Sequence, residues 1–309
     1  MKSRIIFFYL LFIFLIGVLF FSYTSYTGYQ ATVRGQQSLL QRRKEGWLRL
    51  EAILERRVNN YNGVVGMVIR DLDTGWEISF NKDELIPSAS LVKLPIMLSC
   101  LYASQDGKIS LQNTVTFKPP DKVPGSKILG DAPVGSSFRV EDLIEPMITQ
   151  SDNSATNMLI DYMGFEVLNY YFKKMGLKNT NIARKMMDFE ERRGGQENYT
   201  TAEDMANLLE MLYRRDFLNK DISDRCLAIL EQQKINDRIP RGLPRKNIIV
   251  AHKTGLERHV CHDVGIVFTP KGNFIICILV KHENRYAKYA KRFISNSTFL
   301  TYRYYQLFR

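Results

Sequence analysis

An α/β chain of the α+β kind is what this sequence predicts, with strands near both ends of one large domain and helices filling the middle. Three observations predict it. Apolar and β-branched residues form short runs at 63–80 and again at 248–281, parted by turn sequences. Between them, the segments 91–105, 139–163 and 202–213 space their apolar residues three and four apart, the interval of a helix face. The last stretch, from 284, returns to helical spacing. The simplest arrangement joins early and late strands in one antiparallel sheet covered by terminal helices. The helical middle then forms a second lobe, with a cleft between the two.

The elements follow in order. After residues 1–4, a short tail bearing Lys2 and Arg4, residues 5–23 carry no charge and are long enough to cross a bilayer as a helix. The run ends in FFSYTSYTGYQ, which offers no small-residue cleavage site, so an uncleaved anchor is expected rather than a signal peptide. Lys2 and Arg4 precede it and the next cation is Arg34, which leaves the N-terminus cytoplasmic and the rest outside. Residues 24–44 suit a stalk, and 45–309 the folded domain. Trp47, Leu50, Leu54 and Val58, with Leu39 and Leu40 before them, mark an amphipathic helix over about 39–60, with Gly46 as a candidate interruption. Asp73-Thr74-Gly75 turns a hairpin, and "SLVKLPIMLSCLYASQDG" reads as a helix ending at Asp106-Gly107. Helices flank Ser151-Asp152-Asn153, residues 181–199 read as a long surface loop, and Thr200-x-x-Glu203 reads as a capping box. Three strands then surround the Pro-Lys-Gly turn at 270–272, and Phe293, Leu300, Tyr304 and Leu307 share a face of the last helix.

Composition narrows the function classes. With 45% hydrophobic and 24% charged residues the chain has ample material for a core. The net charge of +11 suits an anionic membrane surface or wall polymer better than nucleic acid, which an extracytoplasmic domain rarely meets. Cys100, Cys226, Cys261 and Cys277 are too few and too scattered for a disulfide scaffold, though they leave room for one bridge that the sequence does not select. They form no C-x-x-C pair, so no zinc site is expected, and no cofactor is implied. Cys100 and Cys277 stand in apolar runs and read as small core residues.

Three motifs carry chemistry: Ser90-x-x-Lys93, Ser151-Asp152-Asn153 and Lys253-Thr254-Gly255, in that order. An S-x-x-K alone is expected by chance roughly once in such a chain, and each triplet roughly a few per cent of the time. Together, in fitting contexts, they are specific. Three residues along a helix set Lys93 one turn from Ser90, within reach of its hydroxyl. A lysine can accept that proton only if burial or a second cation, here Lys253, destabilises its charge. Ser151 can pass a proton toward a leaving nitrogen, and Asn153 can hold Lys93 or a substrate carbonyl. Asp152 suits bracing of its own loop. Lys253 and Thr254 suit a carboxylate, while Gly255 lets a substrate backbone approach the strand.

On these motifs, and on the neighbouring "PGSKIL" and "SDNSATNMLI", residues 45–309 resemble the class A β-lactamase catalytic domain, among the penicillin-recognising serine hydrolases. The resemblance implies a five-stranded antiparallel sheet with flanking helices, an all-helical lobe, and a site at their junction. It implies an acyl-Ser90 intermediate and an oxyanion hole from the backbone N–H groups of Ser90 and Leu256. Members carry an E-x-x-x-N glutamate on the loop after the second motif, which activates the deacylating water. Here that loop has Met186 and Met187 and no such pattern; Glu190, Glu191 and Glu197 are acids there by proximity only. Three functions follow: a β-lactam-opening hydrolase, a D,D-peptidase acting on D-Ala-D-Ala cell-wall peptides, or a binding domain without turnover. The last has no use for Lys93.

Overall fold

The computed structural model describes residues 2–244, 246–284 and 286–308. Helix α1 (Lys2–Asn59) leads into the hairpin β1 (Gly63–Asp71) and β2 (Glu77–Phe80). The short strand β3 (Ile86–Pro87) precedes a 3₁₀ turn, Ala89–Val92, and α2 (Lys93–Gln105). Strands β4 (Thr114–Thr116) and β5 (Ser137–Arg139) pair ahead of α3 (Val140–Thr149), α4 (Asn153–Met163), α5 (Phe165–Lys174) and α6 (Phe189–Arg193). Then come β6 (Tyr199–Thr200), α7 (Ala202–Arg214), α8 (Lys220–Glu231), β7 (Ile249–Glu257), β8 (Val260–Phe268), β9 (Phe274–His282) and α9 (Lys288–Phe308).

Early and late strands do join in one sheet. Its order is β2-β1-β9-β8-β7 and every pair is antiparallel, with Val68 opposite Cys277 and Lys253 opposite Val264. Central β9 shows why both faces are covered. Phe274, Ile276, Ile278 and Val280 join a core with Trp47, Leu50, Leu54 and Val58 of α1 and Phe293 and Tyr304 of α9. Ile275, Cys277 and Leu279 point the other way, into the core shared with α2–α5, α7 and α8. A strand buried on both faces needs an unbroken apolar run, and β9 has one from Phe274 to Val280.

Five expectations change. Helix α1 runs through Gly46 unbroken: the glycine is there because a Cβ would lie 2.7 Å from the Phe308 ring, so α1 and α9 touch at this point. Leu39 and Leu40 are exposed, and the amphipathic contact begins only at Trp47. The N-cap of α7 is Thr201, whose hydroxyl accepts from the Asp204 N–H, one residue later than the sequence suggests. Thr200 instead meets Thr180, and Glu203 pairs with Arg70 at 2.9 Å. The segment 181–199 is not a free surface loop, since Arg184, Glu197 and Asn198 are buried within it. On α9, Phe293 and Tyr304 are buried as expected, but Leu307 is exposed. All four cysteines are buried free thiols.

Candidate active site

The site lies where β7 meets the turn that starts α2. Ala89, just before Ser90, takes φ +45°, a conformation that costs a side-chain-bearing residue about 1 kcal/mol or more. Tertiary contacts hold the turn in place. His262 on β8 accepts from the Val280 N–H through Nδ1, which makes Nε2 the donor to the Pro87 carbonyl at 2.9 Å. Burial pushes its pKa down to about 4, so the ring is a neutral tether. A Cβ on Gly255 would lie 2.9 Å from His262 Cδ2 and 3.2 Å from the Ser88 carbonyl oxygen. The glycine of the third motif therefore lets β7 approach the Ser90 turn.

Lys93 is fully buried and its ammonium meets three oxygens: Ser151 O at 2.6 Å, Asn153 Oδ1 at 2.7 Å and Ser151 Oγ at 3.3 Å. Lys253, also fully buried, donates to Ser151 Oγ and to Thr254 O, each at 3.0 Å. Two lysines thus converge on one serine hydroxyl. Burial, then the charge of Lys253, pushes the Lys93 pKa well below the ordinary lysine value; Asp152 opposes this. Burial, then Arg238, brings Lys253 to about 7. Ser90, half-buried one turn before Lys93, makes no side-chain hydrogen bond among the described residues.

The second motif is braced from below. Ser151 takes φ +59°, and Asp152 caps α4 by accepting from Ala155 N while also accepting from Ile128 N and Leu129 N. Asn153 donates to the Pro124 carbonyl at 2.7 Å, and only glycine fits at 125, where a Cβ would lie 2.5 Å from Asn153 Nδ2. So Ser151, Asn153, Lys93 and Lys253 share one cluster, bordered by the Ser90 turn and by Thr254, Gly255 and half-exposed Leu256 on β7.

Glu190 and Glu191 do not join it. Both side chains are exposed on α6 and bond to none of these residues. Glu197 is occupied by Arg184 at 2.8 Å and Arg192 at 3.0 Å, and both arginines reach Glu257 at the end of β7. Asn157 on α4 grips the Met186 backbone through both its amide atoms, so a methionine is fixed where the loop meets this helix. Sequence reasoning missed His262, Arg238 and Asn157, whose roles are visible only through contacts across the fold.

Comparison with known proteins agrees with this geometry. The model of the β-lactamase enzyme family matches residues 49–305. The curated β-lactamase VEB-1 of Pseudomonas aeruginosa is 25% identical over 275 residues, 84% of this chain and 89% of its own. A Rhodobacter capsulatus β-lactamase is 25% identical over 212 residues, 67% of this chain and 71% of its own. Among solved structures, PBP-A superposes with a TM-score of 0.77 at 29% identity, covering 84% of this chain and 96% of that one. A Sphaerobacter thermophilus β-lactamase gives 0.74 at 29%, over 85% and 98%. With fold, cluster and family match in agreement, the chain belongs to the β-lactamase enzyme family and is a serine hydrolase with a class A β-lactamase-like domain.

Proposed function

We propose that this chain opens β-lactam rings through an acyl-Ser90 intermediate that it releases slowly, and that it does so outside the cytoplasm on an N-terminal membrane anchor. One observation carries the chemistry: a buried Lys93, its charge opposed by burial and by Lys253, one turn from Ser90 and bonded to Ser151. Deprotonated, Lys93 takes the Ser90 proton as the hydroxyl attacks the carbonyl carbon. The oxyanion falls to the N–H groups of Ser90 and Leu256, and Lys253 with Thr254 receives the substrate carboxylate. Both lysines donate to Ser151 Oγ, so its own proton is the part left to give to the departing nitrogen.

Slow release follows from the loop. Deacylation needs a base placed on water, and in this loop Met186 and Met187 are not acids, Glu190 and Glu191 face solvent, and Glu197 is spent on arginines. A PBP-A variant solved as an acyl-enzyme with penicillin G is among the structural neighbours, at 29% identity. The same absence favours a second reading, a D,D-peptidase acting on D-Ala-D-Ala peptides. Residues 5–23, apolar and exposed on α1, support the anchor.

The test uses the full chain in non-ionic detergent with a fluorescent penicillin, a chromogenic cephalosporin and a D-Ala-D-Ala peptide. A covalent label that outlasts gel filtration, absent in Ser90→Ala, is expected. Labelling that persists in Ser90→Ala would reassign the nucleophile, and D-Ala release faster than cephalosporin turnover would favour the peptidase.

A further inference from the structure

Positive charge is segregated in this chain. Residues 284–309 hold Arg285, Lys288, Lys291, Arg292, Arg303 and Arg309 and no Asp or Glu. The run 238–256 is equally free of acids and contains Arg238, Arg241, Arg245, Lys246 and Lys253. The fold joins the two. A 3₁₀ turn, Pro240–Gly242, packs on α9 so closely that a Cβ on Gly242 would lie 2.1 Å from the Ser295 carbonyl oxygen. Beside this contact is a cavity of about 630 Å³ lined by Arg241, Lys288, Tyr289, Arg292, Asn296 and Phe299 among others, with no acid in its wall.

Its cations differ from their neighbour. Lys291 is neutralised by Asp237 at 2.6 Å, whereas Arg241, Lys288 and Arg292 meet no carboxylate among the described residues. Lys288 and Arg292 are one helical turn apart, and Arg303, over the Phe299 ring at 5.8 Å, continues the same face. The line from 288 to 303 is about 22 Å long at 1.5 Å per residue.

We propose that this cavity and the α9 face bind a phosphate-bearing polyanion, a phosphodiester polymer with successive phosphates on Arg241, Lys288 and Arg292. Guanidinium forks match phosphate oxygens, and three uncompensated charges exceed what one monoanion neutralises. Geometry selects the polymer over lipid headgroups. Phe293 stacks edge-on against Tyr61 with Arg57 over its ring, while Phe308 meets Gly46, so α9 runs antiparallel to α1. The cavity therefore lies at the end of α1 far from residue 23, about 54 Å along the helix by its rise per residue. Charges at that range are screened from a bilayer surface, since the Debye length is about 8 Å in physiological salt. This choice of source rests on the anchored reading above; the cationic site does not.

The test titrates a synthetic poly(glycerol phosphate), inorganic phosphate, and phosphatidylglycerol vesicles against the full chain held in phosphatidylcholine nanodiscs. The triple variant Arg241→Gln/Lys288→Gln/Arg292→Gln is compared with a charge-matched control, Lys173→Gln/Lys178→Gln/Lys234→Gln. Polymer affinity should fall at least about tenfold in the first and under twofold in the second, with a steep salt dependence. Equal losses in both would overturn the site in favour of diffuse attraction. Inorganic phosphate bound as tightly as the polymer, or vesicles bound more tightly with the same sensitivity, would overturn the polymer. Penicillin labelling of Ser90, read in parallel, should be unchanged by the triple variant, so failure of this site and failure of the catalytic reading are told apart.

Discussion

Lys93 and Lys253 are buried with only neutral oxygens as hydrogen-bond partners, whereas Arg184, sealed to 2% exposure, has the carboxylates of Glu197 and Glu257 against it. The two clusters border the same strand, β7, and treat buried charge in opposite ways. Around Arg184 the charges cancel, and its ion pairs tie the 181–199 segment to the end of β7. Around Lys93 nothing cancels except the more distant Asp152, so the proton is held weakly. Compensation makes a fastener; its lack loosens the hold on the proton.

Four experiments would break or sharpen that contrast. The largest effect should come from Lys93→Met, which removes the base and should slow penicillin labelling about 10³-fold, within the usual worth of a positioned base. A labelling time course at the parental rate would refute its role. Next, Arg184→Leu leaves Glu197 and Glu257 with only the partly exposed Arg192 and should cost about 3 kcal/mol in urea unfolding. The double variant Arg184→Leu/Glu197→Leu should cost less than the sum of the singles, and strict additivity would mean no coupling.

Lys253→Met should do the reverse of Arg184→Leu and stabilise the protein, by about 1–2 kcal/mol at pH 6. The sign follows from protons bound. The folded Lys253 loses its proton near pH 7 and the unfolded chain near 10.5, so the unfolded state holds the extra proton between those values. The parent's handicap is therefore full below pH 7 and fades as pH rises to 10.5, and the variant's advantage should fade with it. Removing this neighbouring charge should also move the acid limb of residual labelling to higher pH, because Lys93 then keeps its proton longer. A limb that stays put would mean Lys93 is not the titrating group. Smallest is Arg192→Gln: its side chain is a third exposed, so losing its pairs with Glu197 and Glu257 should cost under about 1 kcal/mol. A loss as large as that of Arg184→Leu would place the fastener's strength at its rim.

Much of this was legible in the sequence where function depends on local spacing. The three motifs pointed to Lys93, Ser151, Asn153 and Lys253, which the fold gathers into one cluster beside the Ser90 turn, and the apolar runs identified the strands of the sheet. What was hidden depends on contacts across the fold. Nothing in "VCHDV" tells that His262 reaches back to Pro87, because the two are 175 residues apart. Gly46 read as a helix breaker, since its partner Phe308 lies at the other end of the chain. The cap of α7 slipped by one because Thr200 and Thr201 are equally good acceptors, and β6 pairing decided between them. The charged look of 181–199 suggested a solvated loop, because a sequence lists charges without saying which cancel in the interior.

Helix α1 belongs to two worlds at once: residues 5–27 are exposed, and its second half supplies Trp47, Leu50 and Leu54 to the core. Proteolysis would therefore have sharply position-dependent results. A nick between residues 24 and 40 would leave the folded domain and its core intact, whereas one a few turns later would strip the sheet of its cover and inactivate it.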